Sequence, residues 1–401
     1  MVRILHINDK IENHGGVETH ISQLCNIDKA YGVNSMWLGI YKEKSTYQIK
    51  IYPDENTILF SGDFLGGLDH IKAFINRNEI DIIHIHSISD PNLICALFKL
   101  KPLVRSMHEP RMLCPGQGKF WRKTERICNI PFGLHCFFHA YKEGCCNRQP
   151  KSLIEAYKNV QFETSEGGNH YAAILVMSEY MLTEAIKVGY RENKLFLNPL
   201  FTSNMPDHEL IESSHDELKS LIFVGRLSNT KGVHYFIQSG ISLLKNGYNI
   251  KLDIVGAGHD EAYFKSLVPK AYKEQIIFHG WQSNESTDIL IKKSYLMVFS
   301  SIYPEAFGLS GIEAMMRAKP VVAFNVGGVS TWLEHNKTGY LVKVKDVSSL
   351  KNYIEILIKD TEIYKLFSKN ARASAEAHFS EKTHMSRLKE VYNEILNKRE
   401  N

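Results

Sequence analysis

No apolar run in this 401-residue chain approaches the roughly 18 residues needed to span a bilayer. Met1-Val2-Arg3 leads straight into a strand-like Ile4-Leu5-His6-Ile7 without the apolar core of a signal peptide. Both absences point to a cytoplasmic protein, with peripheral contact at the inner face of a membrane as its nearest approach to lipid. Dense basic tracts are missing too. Lysine and arginine number 48 against 44 acids, a net charge of +4, which argues against nucleic acid as a partner. The chain has no solenoid-length repeat, no low-complexity tract and no Cys-x2-Cys pair.

What is present is an alternation of short apolar runs with helical stretches, twice over. With 44% hydrophobic content, the length supports two domains of ordinary size. Arg3 to Ile7, Ser35 to Ile40, Asp81 to His86, Pro102 to Met107 and Ala173 to Met177 read as strands. Helices such as Thr19 to Tyr31 and Asp69 to Asn76 lie between them. That alternation predicts a parallel sheet covered on both faces. The spacing predicts a first domain over 1–200, a polar linker over 201–218, a second domain over 219–380 and a closing helical segment over 381–401.

The most informative segment is Phe299 to Phe324, FSSIYPEAFGLSGIEAMMRAKPVVAF. A buried strand ends near Phe299, a loop with serine, proline and glycine follows, and a helix begins near Ile312. Glu305 and Glu313 stand on either side of Phe307-Gly308-Leu309-Ser310-Gly311. Free backbone N–H groups and the positive end of a helix dipole meet in such a turn, which suits a phosphate or a polyhydroxyl ligand. Spacing alone leaves open a solvated pair of glutamates around an ordinary loop.

These residues, with others along the chain, resemble the retaining glycosyltransferases of family GT4. The E-x7-E signature of that family matches Glu305 to Glu313, and LIFVGRLSNTKGVHYFI (Leu221 to Ile237) resembles its GRL-x3-KG motif. LDIVGAG, IIFHGW and FNVGGVSTWLEHNKTGYLV match its later strand ends and its Gly-Gly loop. In the first half, VRILHINDKIENHGGVETHISQL, IDIIHIHS and LVRSMHE resemble its opening strand and Gly-Gly loop, a middle strand and the strand ending in the family's histidine. The resemblance implies an α/β protein of GT-B architecture, two Rossmann-like doubly wound domains facing a central cleft, with the last helix packing back on the first domain. It implies transfer of a sugar from a UDP-, GDP- or other nucleotide-diphospho-sugar donor to a hydroxyl acceptor, a glycan, a lipid-linked species or a small molecule, with an α linkage, in cell-envelope polysaccharide or glycolipid biosynthesis. The alternative is a GT-B nucleotide-sugar 2-epimerase or hydrolase that needs no acceptor.

Breaking the bond from an anomeric carbon to a phosphate oxygen builds negative charge on the diphosphate, so the site needs fixed cations. By resemblance, the planar fork of Arg226 and the compact ammonium of Lys231 hold that diphosphate. Gly15 and Gly16 approach the donor phosphates and sugar, where a glycine pair lets backbone come close. Glu313 binds the ribose hydroxyls. Glu305, with the backbone of Phe307, Gly308, Leu309 and Ser310, contacts the transferred sugar, and His108 is a further sugar contact. His6, His84 and His86, inside strands, read as structural or cleft-lining. With no Asp-x-Asp motif, no catalytic metal and no cofactor is expected. Two positions depart from the family pattern, Thr331 after the Gly-Gly loop and Ala318 where glycine is common.

An insert over about 109–170 interrupts the alternation. It holds Cys114, Cys128, Cys136, Cys145 and Cys146 beside His135 and His139, among aromatics and basic residues. In a cytosolic chain this means metal or free thiols before disulfides. A structural zinc at Cys114, Cys128, Cys136 and Cys145 and free, partly buried thiols both remain open. The insert reads as an acceptor or membrane-surface element, or as a self-packed lid.

Overall fold

The structure, a computed structural model, describes residues 1–9, 16–43, 46–52, 57–61, 64–203 and 218–400. The chain divides into two units. The first comprises Met1–Lys123, Cys128–Leu200 and His384–Asn401, the second Thr124–Ile127 and Phe201–Thr383. Residues 204–217 of the expected linker lie outside the described residues.

The sheet of the first unit contains β1 (Val2–Asn8), β2 (Val33–Glu43), β3 (Thr46–Tyr52), β4 (Thr57–Ser61), β5 (Ile82–Ile85), β6 (Leu103–Met107), β7 (Ala173–Val176) and β8 (Leu195–Leu197). Their order is β8-β7-β6-β5-β1-β2-β3-β4. Ile4, Leu5 and Ile7 of β1 and Ile82, Ile83 and Ile85 of β5 are fully buried, as expected for parallel strands covered on both faces. The six strands from β8 to β2 pair in parallel. The last two do not: β3 pairs antiparallel with β2, and β4 with β3. The strands read from the sequence all lie in the parallel part, and this antiparallel pair extends the sheet at one edge. Its physical reason is visible in Tyr47-Gln48-Ile49-Lys50-Ile51-Tyr52, whose polar and apolar residues alternate with period two, the pattern of a strand covered on one face.

The second unit's sheet contains β9 (Lys219–Val224), β10 (Ile250–Val255), β11 (Ile276–Gly280), β12 (Leu296–Phe299), β13 (Val321–Phe324) and β14 (Gly339–Val342). All pair in parallel, in the order β11-β10-β9-β12-β13-β14. The chain therefore builds outward from β9 to one edge, then returns to β12 on its other side. Between β9 and β12 the order reverses, the topological switch point at which ligands of open α/β sheets generally bind. Among the described residues no helix is long and apolar enough to cross a membrane.

Candidate functional site

In the second unit the predicted residues gather at that switch point. Arg226 follows β9 and Glu305 follows β12. The loop between Ser228 and Gly232 is fastened along the loop after β12. Ile302 donates its amide to the Thr230 carbonyl at 2.9 Å, Ser301 its hydroxyl to the same carbonyl at 3.2 Å, and Ser300 its hydroxyl to the Gly232 carbonyl at 2.9 Å. Gly232 has a φ of 69°, and a Cβ there would run into the Ser300 carbonyl oxygen, so a side chain is excluded on two counts. Gly327 plays the matching part on the other flank. With φ at 50° it lets the following loop lie against Glu305, whose carbonyl accepts from the Gly328 amide at 2.7 Å.

These two fastenings bring Lys231 Nζ to 2.6 Å from Glu305 Oε1. Their side chains are 32% and 11% exposed, so the pair faces solvent from a partly buried floor. Arg226 is exposed and makes no side-chain hydrogen bond or ion pair among the described residues. A fixed cation and a free guanidinium thus stand at one strand edge, the charge a diphosphate needs.

The Leu309–Met316 helix starts after Gly308 with no side-chain cap on its first amides. Phe307 is buried, and its carbonyl accepts from Trp332 Nε1 at 2.7 Å, which holds the turn before the helix. Glu313 lies on this helix, half-buried. Burial raises its carboxyl above the usual range, the charge of Arg317 opposes that, and Asp288 adds to it. Arg317 is itself engaged by Asp288 and by the Thr202 hydroxyl. The Glu313 carboxylate makes no hydrogen bond or ion pair among the described residues, which leaves both oxygens available to ligand hydroxyls.

In the first unit the structure describes Gly16, the first residue of the Gly16–Ile27 helix, while Gly15 lies outside the described residues. His108, half-buried just beyond β6, belongs to a histidine cluster that sequence reasoning resolved only as separate strand residues. His6 Nδ1 lies 2.9 Å from His86 Nε2, and His86 Nδ1 lies 2.8 Å from His108 Nε2. His84 bonds Tyr392 at 2.7 Å and Ser106 at 2.7 Å. His20 and His384 stack edge-on nearby. Burial drives all six imidazoles below their ordinary range, His6 and His108 to about 3 and His384 to about 4. The signal in the sequence is the two-residue spacing of His84 and His86, which puts both on one face of the strand, with His6 opposite His84 in register.

The ligand atoms of His6, His84 and His86 lie within 4.8 Å of one another. A separation of 2.9 Å between His6 and His86 nitrogens is a hydrogen bond; two nitrogens on one tetrahedral zinc stand about 3.3 Å apart. Among the described residues the cysteines of the insert form no comparable group. All seven cysteines are free. Burial, then the neighbouring thiols, push Cys145 up to about 12. Beside them lies a cavity of about 820 Å³ lined by Gln117, Arg122, Lys123, Asn147 and Arg148 among others, cationic and without a carboxylate.

Two doubly wound units with six parallel strands each, and cations at the switch point of the second, define the GT-B class of fold. Residues 207–374 match the model of the family glycosyl transferases group 1, a stretch that falls within the second unit. The capsular polysaccharide biosynthesis glycosyltransferase CapM of Staphylococcus aureus is 26% identical over 277 residues, covering 62% of this chain and 71% of that protein. The alpha-D-kanosaminyltransferase of Streptomyces kanamyceticus is 27% identical over 181 residues, 45% of this chain and 47% of its own. The matched stretch thus spans about half the length of several of the curated relatives. Among solved structures, Anabaena HepE in complex with UDP superimposes with a TM-score of 0.67 at 16% identity, over 98% of this chain and 100% of that one.

Proposed function

We propose that the chain is a retaining glycosyltransferase that moves a sugar from a nucleotide-diphospho-sugar to a hydroxyl acceptor with an α linkage, in the assembly of cell-envelope polysaccharide or glycolipid. The observation that carries this reading is the Lys231–Glu305 contact at 2.6 Å at the switch point of the second sheet, where Arg226, without a side-chain partner among the described residues, also follows β9. As the bond from the anomeric carbon to the phosphate oxygen breaks, Arg226 and Lys231 take up the charge developing on the diphosphate. Glu313 holds the ribose. Glu305, fixed by Lys231, orients the hydroxyls of the transferred sugar, and His108 keeps its expected role as a sugar contact. The acceptor oxygen bonds the anomeric carbon on the face the phosphate leaves, and the departing phosphate oxygen takes the acceptor's proton. The transferase names of the relatives support a donor and an acceptor rather than an epimerase. UDP in the neighbouring HepE structure supports a uridine nucleotide as the first donor to test.

The insert supplies the acceptor side in this proposal. Leu134, Phe138 and Tyr141 are exposed along one face of a helix and its approach, 76%, 63% and 49% respectively, with Lys142 over the Phe138 ring. Apolar and cationic groups together suit an anionic membrane surface. The test of the function is a panel of UDP- and GDP-sugars, read by thermal protection and by sugar release, followed by NMR of the glycoside formed. An α-linked product from an α-linked donor is expected. A β linkage, or turnover unaffected by any hydroxyl acceptor, would refute the proposal.

A further inference from the structure

The cavity of about 820 Å³ in the insert lies wholly within the first unit and shares no residue with the site described above. Its volume falls in the range of small-molecule sites, roughly 300–1,000 Å³, but its walls are not the apolar ones usual there. They carry Arg122, Lys123 and Arg148, and the rest are mostly polar or small residues. Arg122 and Arg148 make no side-chain hydrogen bond or ion pair among the described residues. Lys123 donates to the Tyr141 carbonyl at 3.1 Å, which leaves two of its N–H groups to spend. The acids nearest along the chain, Glu143 and Glu155, do not line the cavity, and Glu143 is buried. Cations gathered around one concave space without a counter-charge repel one another, and an anion relieves that repulsion. The Pro150–Phe162 helix adds to the effect. No side chain caps its first amides, and Ser152 of its first turn lines the cavity, so the positive end of the helix dipole borders the same space.

Two planar guanidinium forks and an ammonium match the several oxygens of a phosphate. The surroundings say what carries that phosphate. The Tyr141 hydroxyl donates to the Arg148 carbonyl at 3.0 Å, which fastens the cavity wall to the exposed face of Leu134, Phe138 and Tyr141. These three follow one another at four and three residues, along one side of the His135–Glu143 helix and its approach. A soluble phosphate would fill the cavity and leave that apolar face in water, whereas a lipid satisfies both. We propose that the cavity binds the phosphate of an anionic membrane lipid, with Arg122, Lys123 and Arg148 on its oxygens and Leu134 and Phe138 entering the acyl region. The site uses none of the donor-binding residues and does not rest on the function proposed above.

The test is flotation of the whole chain with phosphatidylcholine vesicles, with and without phosphatidic acid. Binding is expected only with phosphatidic acid, and its absence there overturns the proposal. Arg122→Gln combined with Arg148→Gln should lower the vesicle partition coefficient about 25-fold, roughly fivefold for each basic residue at an anionic surface. Lys151→Gln combined with Lys158→Gln removes the same charge from exposed positions outside the cavity, and should lower it by less than about fivefold. Ser152→Glu places a carboxylate in the wall while suiting the start of the helix, so a folded chain, checked by circular dichroism, should lose binding. Equal losses in the two double variants, or full binding by Ser152→Glu, would reduce the cavity to part of an unspecific basic surface and overturn the site. Glycerol 3-phosphate carries the same head group without the chains. It should bind more than about tenfold more weakly than the vesicles, because no apolar side chain is buried with it. Equal affinity, or vesicle binding unchanged in Phe138→Ser, would make a soluble phosphate the ligand and refute the lipid.

Discussion

Lowering the pH from 8 to 5 loads protons onto the interior of the first unit before it touches the second. His6, His108 and His384 titrate at about 3, about 3 and about 4 in the folded protein, held there by burial. In the unfolded chain they titrate near 6.5. Between those values the unfolded state binds more protons, so stability is complete above pH 6.5 and falls as the pH drops towards the folded values. At pH 5 each costs about 2 kcal/mol, and the three together about 6 kcal/mol, comparable with the whole stability of a domain. His20, His84 and His86 shift in the same direction and add to the loss. The assay is hydrogen exchange by mass spectrometry on the intact chain at the two pH values, corrected for intrinsic rates. Protection of β1, β5 and β6 should collapse by pH 5 while that of β9, β12 and β13 holds. Equal losses in both units, or none in the first, would refute the assignment of these imidazoles as buried and neutral.

Arg226→Ala and Lys231→Ala should each remove about 2–4 kcal/mol of transition-state stabilisation, whereas Glu313→Ala should instead weaken nucleoside-diphosphate binding by calorimetry. Near-normal turnover in either cation variant, or unchanged affinity in the glutamate variant, would remove that residue's role. Ala318 holds a left-handed φ of 55°, which costs an L-residue roughly 1–2 kcal/mol; Ala318→Gly should raise the unfolding free energy in urea by about 0.5–1 kcal/mol after the extra chain entropy of glycine, and a lower midpoint would show that the Ala318 methyl packs. If Cys114, Cys128, Cys136 and Cys145 hold zinc, protein purified without added metal retains about one zinc per chain; a tenth of that leaves them as the free thiols the structure contains.

Much of the architecture is legible because parallel strands buried on both faces leave continuous apolar runs. Ile4-Leu5-His6-Ile7 and Leu296-Met297-Val298-Phe299 advertise themselves in this way. The antiparallel pair β3 and β4 was less visible, since Tyr47 to Tyr52 alternates polar and apolar residues and carries no long apolar run. Histidine in a strand misleads for a related reason. Inside an apolar run, a polar ring reads as an interruption, and only pairing shows that His6 and His84 are neighbours.

The candidate site divides along the same line. Glu305 and Glu313 are close in sequence, so a loop running into a helix could be read locally. Lys231 and Glu305 are 74 positions apart, and nothing local joins them; their contact follows from strand order. Because β9 and β12 are neighbours although three strands apart in the chain, the loops leaving their ends meet; Gly232 removes the side chain that would hold them apart, and Gly327 does the same for the loop after β13 against Glu305. The histidine chain carries the argument further. Ser35, His6, His86 and His108 come from four segments, and no spacing links them. What links them is one sheet, in which each stands two residues further along its strand than the register partner of the one before. A motif marks residues expected to touch the ligand, whereas the register of the sheet decides which residues stand behind them.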